Sequence, residues 1–271
     1  MSVRAPEVPI KHWSHSSLMG FLRNPLAWRK RYVEKVYDAP SNPASIVGRA
    51  AHVALQHFYG GIAKEGAIAL GLENLESVPD FEINFGRAKT KKERRKRKEQ
   101  MRAEYLQAIH FYLEKPPRHR VVAVEFAGTA SAPGILLPLK SVSDLVVESR
   151  GNKGCLDIVD HKFVDSFSSY GAEKTLFVMQ ALFNYYVVSE AFKRPVKRFI
   201  LQECKKRKNI DGRPQMRRYV IDFANVSAEF AVFERLVNDA TMQLASMHAF
   251  LPNPSDMFEG EHSFDVYRMG L

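Results

Sequence analysis

In the run GCLDIVDHKF, residues 154–163, a carboxylate and an ammonium stand two residues apart, Asp160 and Lys162. Strand side chains alternate, so both project to one face about 7 Å apart while His161 points to the other. Such a pair can serve one reaction centre on a phosphate. The carboxylate would hold a hard cation, and the lysine would position or deprotonate a water, or stabilise charge building on the phosphate. Taken alone, D-x-K on a strand is more often a surface ion pair.

Asp144, in SVSDLVVE, lies among apolar neighbours where an uncompensated carboxylate is costly to bury. If its strand pairs with that of Asp160, two carboxylates converge and repel unless a cation lies between them. Oxygen ligands of this kind select Mg²⁺ or Mn²⁺. Glu125, in AVEF, offers another carboxylate, with an ion pair to a lysine on a neighbouring strand as the plainer reading. His52, in GRAAHVALQHF, sits on a helix with Gln56 four residues on; a hydrogen-bonded core histidine is the ordinary role there. Gln180, in MQALFNYY, is a polar helix position.

These residues need elements to position them. Val47, Ala51, Leu55 and Phe58 recur at helical spacing within residues 44–66, with Gly60 and Gly61 as stop or interruption. KTKKERRKRKE (89–99) and the apolar pattern after it predict one long helix with a solvated first half, ended by Pro116 and Pro117. Residues 119–128, 134–149 and 154–163 predict a meander of strands. Leu176, Met179, Phe183 and Val187 form the stripe of a helix over 172–192, which Pro195 forbids to continue. Strands KRFILQECKK and MRRYVIDF flank the turn signal NIDGRP. A last helix is predicted from an N-cap at Ser227, with Glu229 near its positive end, to about Phe250.

The expected class is therefore α/β (α+β), a mixed central sheet flanked by helices with a helical N-terminal segment. No Gly/Ser-rich or Pro-rich linker divides the 271 residues, so one domain is expected. It comprises an N-terminal segment (1–43), a helical region with the basic run (44–118), a catalytic sheet core (119–225), and a C-terminal helix and tail (226–271).

Forty Lys and Arg against thirty Asp and Glu give a formal charge of +10, which favours a polyanionic partner. Two cysteines, Cys155 and Cys204, can build neither a disulfide framework nor a four-thiolate metal site. No run of 18 uncharged apolar residues and no signal-peptide core occurs, so a soluble, cytoplasmic protein without a membrane partner is expected.

Taken in order, these stretches resemble the RecB-type branch of the PD-(D/E)XK nuclease superfamily. The likeness runs over roughly residues 13–192. It comprises the S-x-S-x-L…P…Y segment WSHSSLMGFLRNPLAWRKRY, the G-x-x-x-H-x-x-L helix with Gly48 and His52, the acidic strand, the D-x-K strand and the glutamine helix. The resemblance implies a restriction-endonuclease-like core and a metal-dependent nuclease. It implies that Asp144 and Asp160 ligate the metal with His52 as further ligand or organiser, and that Lys162 is the catalytic lysine. Gln180 would hold the lysine or the DNA backbone, and His161 would give the metal its backbone carbonyl only. Glu125 is a supporting candidate.

The chain departs from the family in two places. The glutamine helix usually reads Q-x-x-x-Y, but here Asn184 stands in the fourth position and Tyr185 and Tyr186 follow it. Many relatives hold an iron–sulfur cluster on four cysteines; here Asn24 precedes Pro25, and the C-terminal stretch has no thiol, so no iron–sulfur cluster is expected. No G-x-x-x-x-G-K-[ST] loop occurs, so duplex DNA would have to be entered from an end or unwound by a helicase or recombination protein in trans.

For the substrate, Lys92, Arg94 and Arg95 of the basic run suit the phosphate backbone without sequence readout, a solvated helix face being the alternative. Trp28, Arg29 and Arg31 interleave a ring with cations, as in stacking of unpaired bases, the alternative being a buried helix face. Residues 203–218 form a third basic stretch, read as a hairpin tip. The expected activity is exonucleolytic hydrolysis of single-stranded DNA or DNA ends in recombination, repair or processing. A structure-specific or nicking endonuclease, and a DNA-binding module with a lapsed site, are the alternatives.

Overall fold

The structure, a computed structural model, describes residues 6–36, 40–168, 170–207, 211 and 216–253. Apolar alternation builds six strands into one sheet: β1 (Trp13–Ser14), β2 (Val121–Ala130), β3 (Leu139–Glu148), β4 (Leu156–Val164), β5 (Val196–Lys205) and β6 (Met216–Asp222). β2–β3, β3–β4 and β5–β6 are antiparallel, whereas β4–β5 is parallel. A parallel pair requires a crossover, supplied here by helix α6 (Tyr170–Phe192). β2 lines one edge of β3 from Val147 to Leu139. β1, at Leu139 and Lys140, and β4, at Leu145 to Glu148, must therefore share the other edge. Between them, residues 141–144 of β3 have no strand on that side among the described residues.

The remaining helices are α1 (His15–Arg23), α2 (Pro25–Trp28), α3 (Pro43–Tyr59), α4 (Lys64–Glu76), α5 (Lys91–Glu114) and α7 (Ser227–Ser246), with a π-helical turn Arg29–Val33 after α2. One sheet face, carrying Val146, Leu156, Ile158, Phe199 and Leu201, packs against α1, α6 and α7 through Phe21, Leu182, Phe183, Val187 and Phe233. Cys204 joins the opposite face to α3, α4 and α5 through Val47, Leu55, Ile68, Tyr105 and Tyr112. Those three helices meet closely because Gly71 has no side chain; a Cβ there would lie 2.6 Å from the Ala50 carbonyl oxygen.

The mixed sheet and flanking helices agree with the sequence expectation, but several boundaries differ. The break after Tyr59 uses Gly61 at φ +101, and a separate helix, α4, follows that the periodicity had not indicated. The second strand of the meander starts at Leu139, not Gly134. Ser227 is the first residue inside α7, with Val226 in the cap position and no side-chain cap bond. The helix ends at Ser246, where Met247 turns extended. α5 begins as expected, closed by a capping box in which Thr90 Oγ1 accepts from the Glu93 N–H and Glu93 accepts from the Thr90 N–H. Most of the NIDGRP turn and of the hairpin tip around it, and the tail from residue 254, lie outside the described residues. No described helix is long and apolar enough to cross a membrane.

Candidate active site

The β3–β4 ladder runs from Glu148↔Leu156 to Leu145↔Val159 and stops there. The next pair in register would be Asp144 and Asp160, so both carboxylates sit where the strands part. Asp144 turns into the gap. Its Oδ2 accepts the His161 backbone N–H at 2.6 Å and lies 3.3 Å from His52 Nδ1, which α3 presents from the opposite layer.

Across β3, Glu125 stands opposite Asp144, between the pairs Val124↔Leu145 and Phe126↔Ser143. Its backbone is left-handed, φ +47. A non-glycine residue in that region costs on the order of 1–3 kcal/mol and persists only where its surroundings over-determine it; here the ladder on both sides holds it. His52, Glu125 and Asp144 each offer a ligand atom, and these atoms all lie within 4.8 Å of one another.

Asp160 and Lys162 share the face toward α6, as alternation requires. Gln180 Nε2 of α6 donates to Asp160 Oδ1 at 2.7 Å, and Lys162 Nζ lies 2.8 Å from Asp160 Oδ2. That second oxygen has a charge contact but no directed hydrogen bond. Gln180 thus holds the aspartate, not the lysine. Asn184 locks this turn of α6 to β3: its Nδ2 donates to the Gln180 carbonyl at 2.9 Å, and its Oδ1 accepts from Ser143 Oγ at 2.7 Å.

His161 points to the other face, buried, stacked on Tyr59 at 5.8 Å and edge-on to Tyr112 at 5.3 Å. Its Nδ1 is 3.4 Å from Asp144 Oδ2 without the alignment of a hydrogen bond, and among the described residues neither ring nitrogen has a hydrogen-bond partner.

The charges settle each other. Burial alone would raise the Asp144 carboxyl, but the His52 and His161 imidazoles outweigh it and hold that carboxyl well below the usual range. Burial likewise works against a charged His52, yet Asp144 raises its pKa. Asp160 is raised, by burial first and by Asp144, with Lys162 opposing. Lys162 resists burial because Asp160 and Asp144 stabilise its ammonium, and its pKa is raised. Glu125 is raised by burial and by the neighbouring Asp144.

The structure thus brings together His52, Glu125, Asp144, Asp160, Lys162 and Gln180. Glu125, for which a lysine ion pair was the alternative reading, stands instead beside His52 and Asp144. The substrate candidates sit apart from it. Trp28 is 2% exposed, packed against Trp13, Phe21, Tyr32 and Phe250 with Nε1 donating to Ser17 Oγ, so its ring has no face to offer a base. Arg29 pairs with Glu34 and lies over Phe250; Arg31 lies over Tyr32. Lys92, Arg94 and Arg95 lie on the exposed half of α5, with Arg94 over Phe85 and Arg95 paired to Glu99.

Two neighbours of Lys162 escaped the sequence reading. Glu203 of β5 is the register partner of Lys162, buried and held by the Ser168 N–H and hydroxyl. A carboxylate inside FILQECKK was the visible signal. His15, between the two serines of the N-terminal motif, packs on Phe183. Burial, and then the Lys162 charge, press its pKa down to about 4.

The sequence matches the family model described as the PD-(D/E)XK nuclease superfamily over residues 12–257. No curated protein matches it. Among solved structures, "Putative exonuclease" from Eubacterium rectale superposes with TM-score 0.59 at 11% identity, over 93% of this chain and 88% of that one. At that identity the likeness shows the fold alone. SSO0001 aligns over 94% of this chain and 93% of its own at 16% identity, but with TM-score 0.32, which carries no argument.

Proposed function

The chain belongs to the PD-(D/E)XK nuclease superfamily, and from that premise we propose that it is a divalent-metal-dependent deoxyribonuclease acting on single strands or ends as an exonuclease. The observation that carries the proposal is the convergence of Asp160 and Lys162 with His52, Glu125 and Asp144 where β3 and β4 part.

The donor set fits a hard divalent cation. Glu125 and Asp144 converge with His52, Glu125 is pushed toward its proton by burial first and then by the charges of Asp144 and Asp160, and Asp160 Oδ2 lacks a directed donor among the described residues. Repulsion of that kind is relieved by a cation. His52, Glu125 and Asp144 would hold it, with Asp160 reaching it from β4. The bound ion would supply positive charge to offset the negative charge developing on the phosphate, and would favour deprotonation of an attacking water.

The chain's own residues perform the rest. Asp144, whose carboxyl lies well below the usual range, is ionised throughout the neutral range and so has its oxygens available to the ion. Gln180 fixes the plane of the Asp160 carboxylate, and Asp160 fixes Lys162. The ammonium of Lys162 is placed to orient the water and to stabilise negative charge on the phosphate oxygens. In the net reaction the water oxygen bonds to phosphorus, the bridging P–O bond breaks, and the proton passes to the leaving alkoxide. The products are a phosphomonoester and a hydroxyl.

Exonuclease action is tested with linear and covalently closed circular single-stranded DNA of one sequence, in Mg²⁺ or Mn²⁺ and in chelator. The linear strand is expected to shorten from an end only with metal, and the circle to survive. Cleavage of the circle would assign an endonuclease.

A further inference from the structure

We propose that the chain carries a second nucleic-acid site, a basic cleft at the far end of the sheet that holds a stretch of phosphodiester backbone away from the reaction centre. The ligand class rests on the nuclease reading; the cleft itself rests on its own geometry.

The cleft, about 1020 Å³, opens on the sheet face opposite Asp160, beyond the ends of α3 and α5. Val147 and Ile200 form part of its floor. Its rim is cationic on three sides: Arg118 and Arg120 from the segment leading into β2, Arg150 and Lys153 from the β3–β4 turn, and Arg218 from β6.

Two carboxylates line it, and both are already engaged. Asp157 is clasped by Arg198, with Nη2 at 2.6 Å and Nε at 3.1 Å, and Glu148 by Arg194, at 2.7 and 3.0 Å. Arg118, Arg150, Lys153 and Arg218 form no ion pair among the described residues, although they converge on one concavity. Like charges gathered without counter-ions cost stability and raise the local concentration of anions. The β3–β4 turn adds Gly151 and Gly154, both left-handed, which keep its backbone free of side chains beside the cations.

The lining also says what is not read. Among the described residues it has no Trp, Tyr or Phe, and its one imidazole, His119, is half-buried and packed against Tyr59 at 5.7 Å, so no free aromatic ring is offered for stacking a base. A free nucleotide would leave its base unheld, whereas a polynucleotide presents the phosphates these side chains match, irrespective of sequence. Asp160 and the turn at Gly154 lie six residues apart along β4, on the order of 20 Å. At about 3.4 Å per nucleotide, a strand must exceed roughly six nucleotides to occupy both places.

The test compares wild type with the triple variant Arg118→Ser, Lys153→Ser, Arg218→Ser, all three side chains being exposed. Binding of fluorescent single strands of roughly five and roughly 30 nucleotides is measured in chelator across a salt series, and cleavage of both in Mn²⁺. The variant is expected to bind the long strand at least tenfold more weakly, with the salt slope shallower by about 2, three contacts at about 0.7 each. Its cleavage of the short strand should equal wild type. Restoring charge with Arg118→Lys and Arg218→Lys in place of the serines should recover long-strand affinity at an unchanged melting temperature. Equal affinity and slope for the long strand would overturn the cleft, as would a loss that falls equally on short-strand cleavage. Because binding is read without metal, a wild type that cleaves nothing refutes the nuclease reading and leaves the binding arm to decide the cleft.

Discussion

Glu125 shows how the site is held under strain. Its left-handed backbone and raised carboxyl pKa are both unfavourable, and both place a carboxylate beside Asp144 and His52. Replacing it with glycine removes the backbone penalty and one repelling charge. Glu125→Gly is expected to melt at or above the wild-type temperature while its Mn²⁺ affinity, read by isothermal titration, falls by roughly tenfold or more. A lower melting temperature with unchanged metal affinity would make Glu125 structural. The parity of Asp160, His161 and Lys162 was legible in the sequence because a strand leaves no choice of face. Glu125 was visible there as a supporting candidate, but its backbone was not, since nothing in AVEF announces a positive φ.

At the scale of elements, the centre depends on α6 being registered against β3, and Asn184 makes that connection. Asn184→Ala would leave the buried Ser143 hydroxyl without its acceptor, at a cost of about 1–3 kcal/mol in chemical denaturation. Activity should fall through a loosened Gln180, and an unchanged denaturation midpoint would contradict the pinning role. This residue fills the place where the resemblance led one to look for a tyrosine. The mount of α1 on α6 gives a pH signature. His15 and His119, the latter at the mouth of the basic cleft, are both lowered to about 4 by burial. A depressed histidine pKa gives stability that is complete above about 6.5 and is lost as pH falls toward 4, because the unfolded chain takes up the proton first. The wild-type melting temperature should therefore drop across that window by more than that of His15→Gln, and parallel profiles would refute the contribution. Elements with a single apolar stripe, such as α3 and α6, were visible in the sequence. α4, KEGAIALGLENLE, was not, because its two glycines and small residues, of which Gly71 allows close packing on α3 and α5, blur the helical period. Trp28 was ambiguous for the opposite reason: an aromatic among cations reads alike whether buried or stacking.

At the scale of the molecule, +10 of net charge is spread over distinct surfaces. The solvated half of α5 is partly neutralised, within the helix through Arg95–Glu99 and Arg97–Glu104 and from outside it through Lys98–Asp80. Exposed pairs of this kind contribute little stability, so charge reversal at Lys92 and Arg94 should leave the melting temperature unchanged while flattening the salt dependence of DNA binding. The basic composition was legible from the start. Its division between a helix and a cleft at the far end of the sheet was not, because only the sheet topology decides which cations meet.

The most direct test is digestion of end-labelled single- and double-stranded oligonucleotides by wild type and by Lys162→Ala, with Mg²⁺ or Mn²⁺, beside thermal melts of both proteins. The expected result is metal-dependent hydrolysis by the wild type and a loss of at least about 100-fold in the variant, which should still melt cooperatively. Hydrolysis that survives in Lys162→Ala, or that proceeds equally in chelator, would contradict the centre described for Asp160 and Lys162.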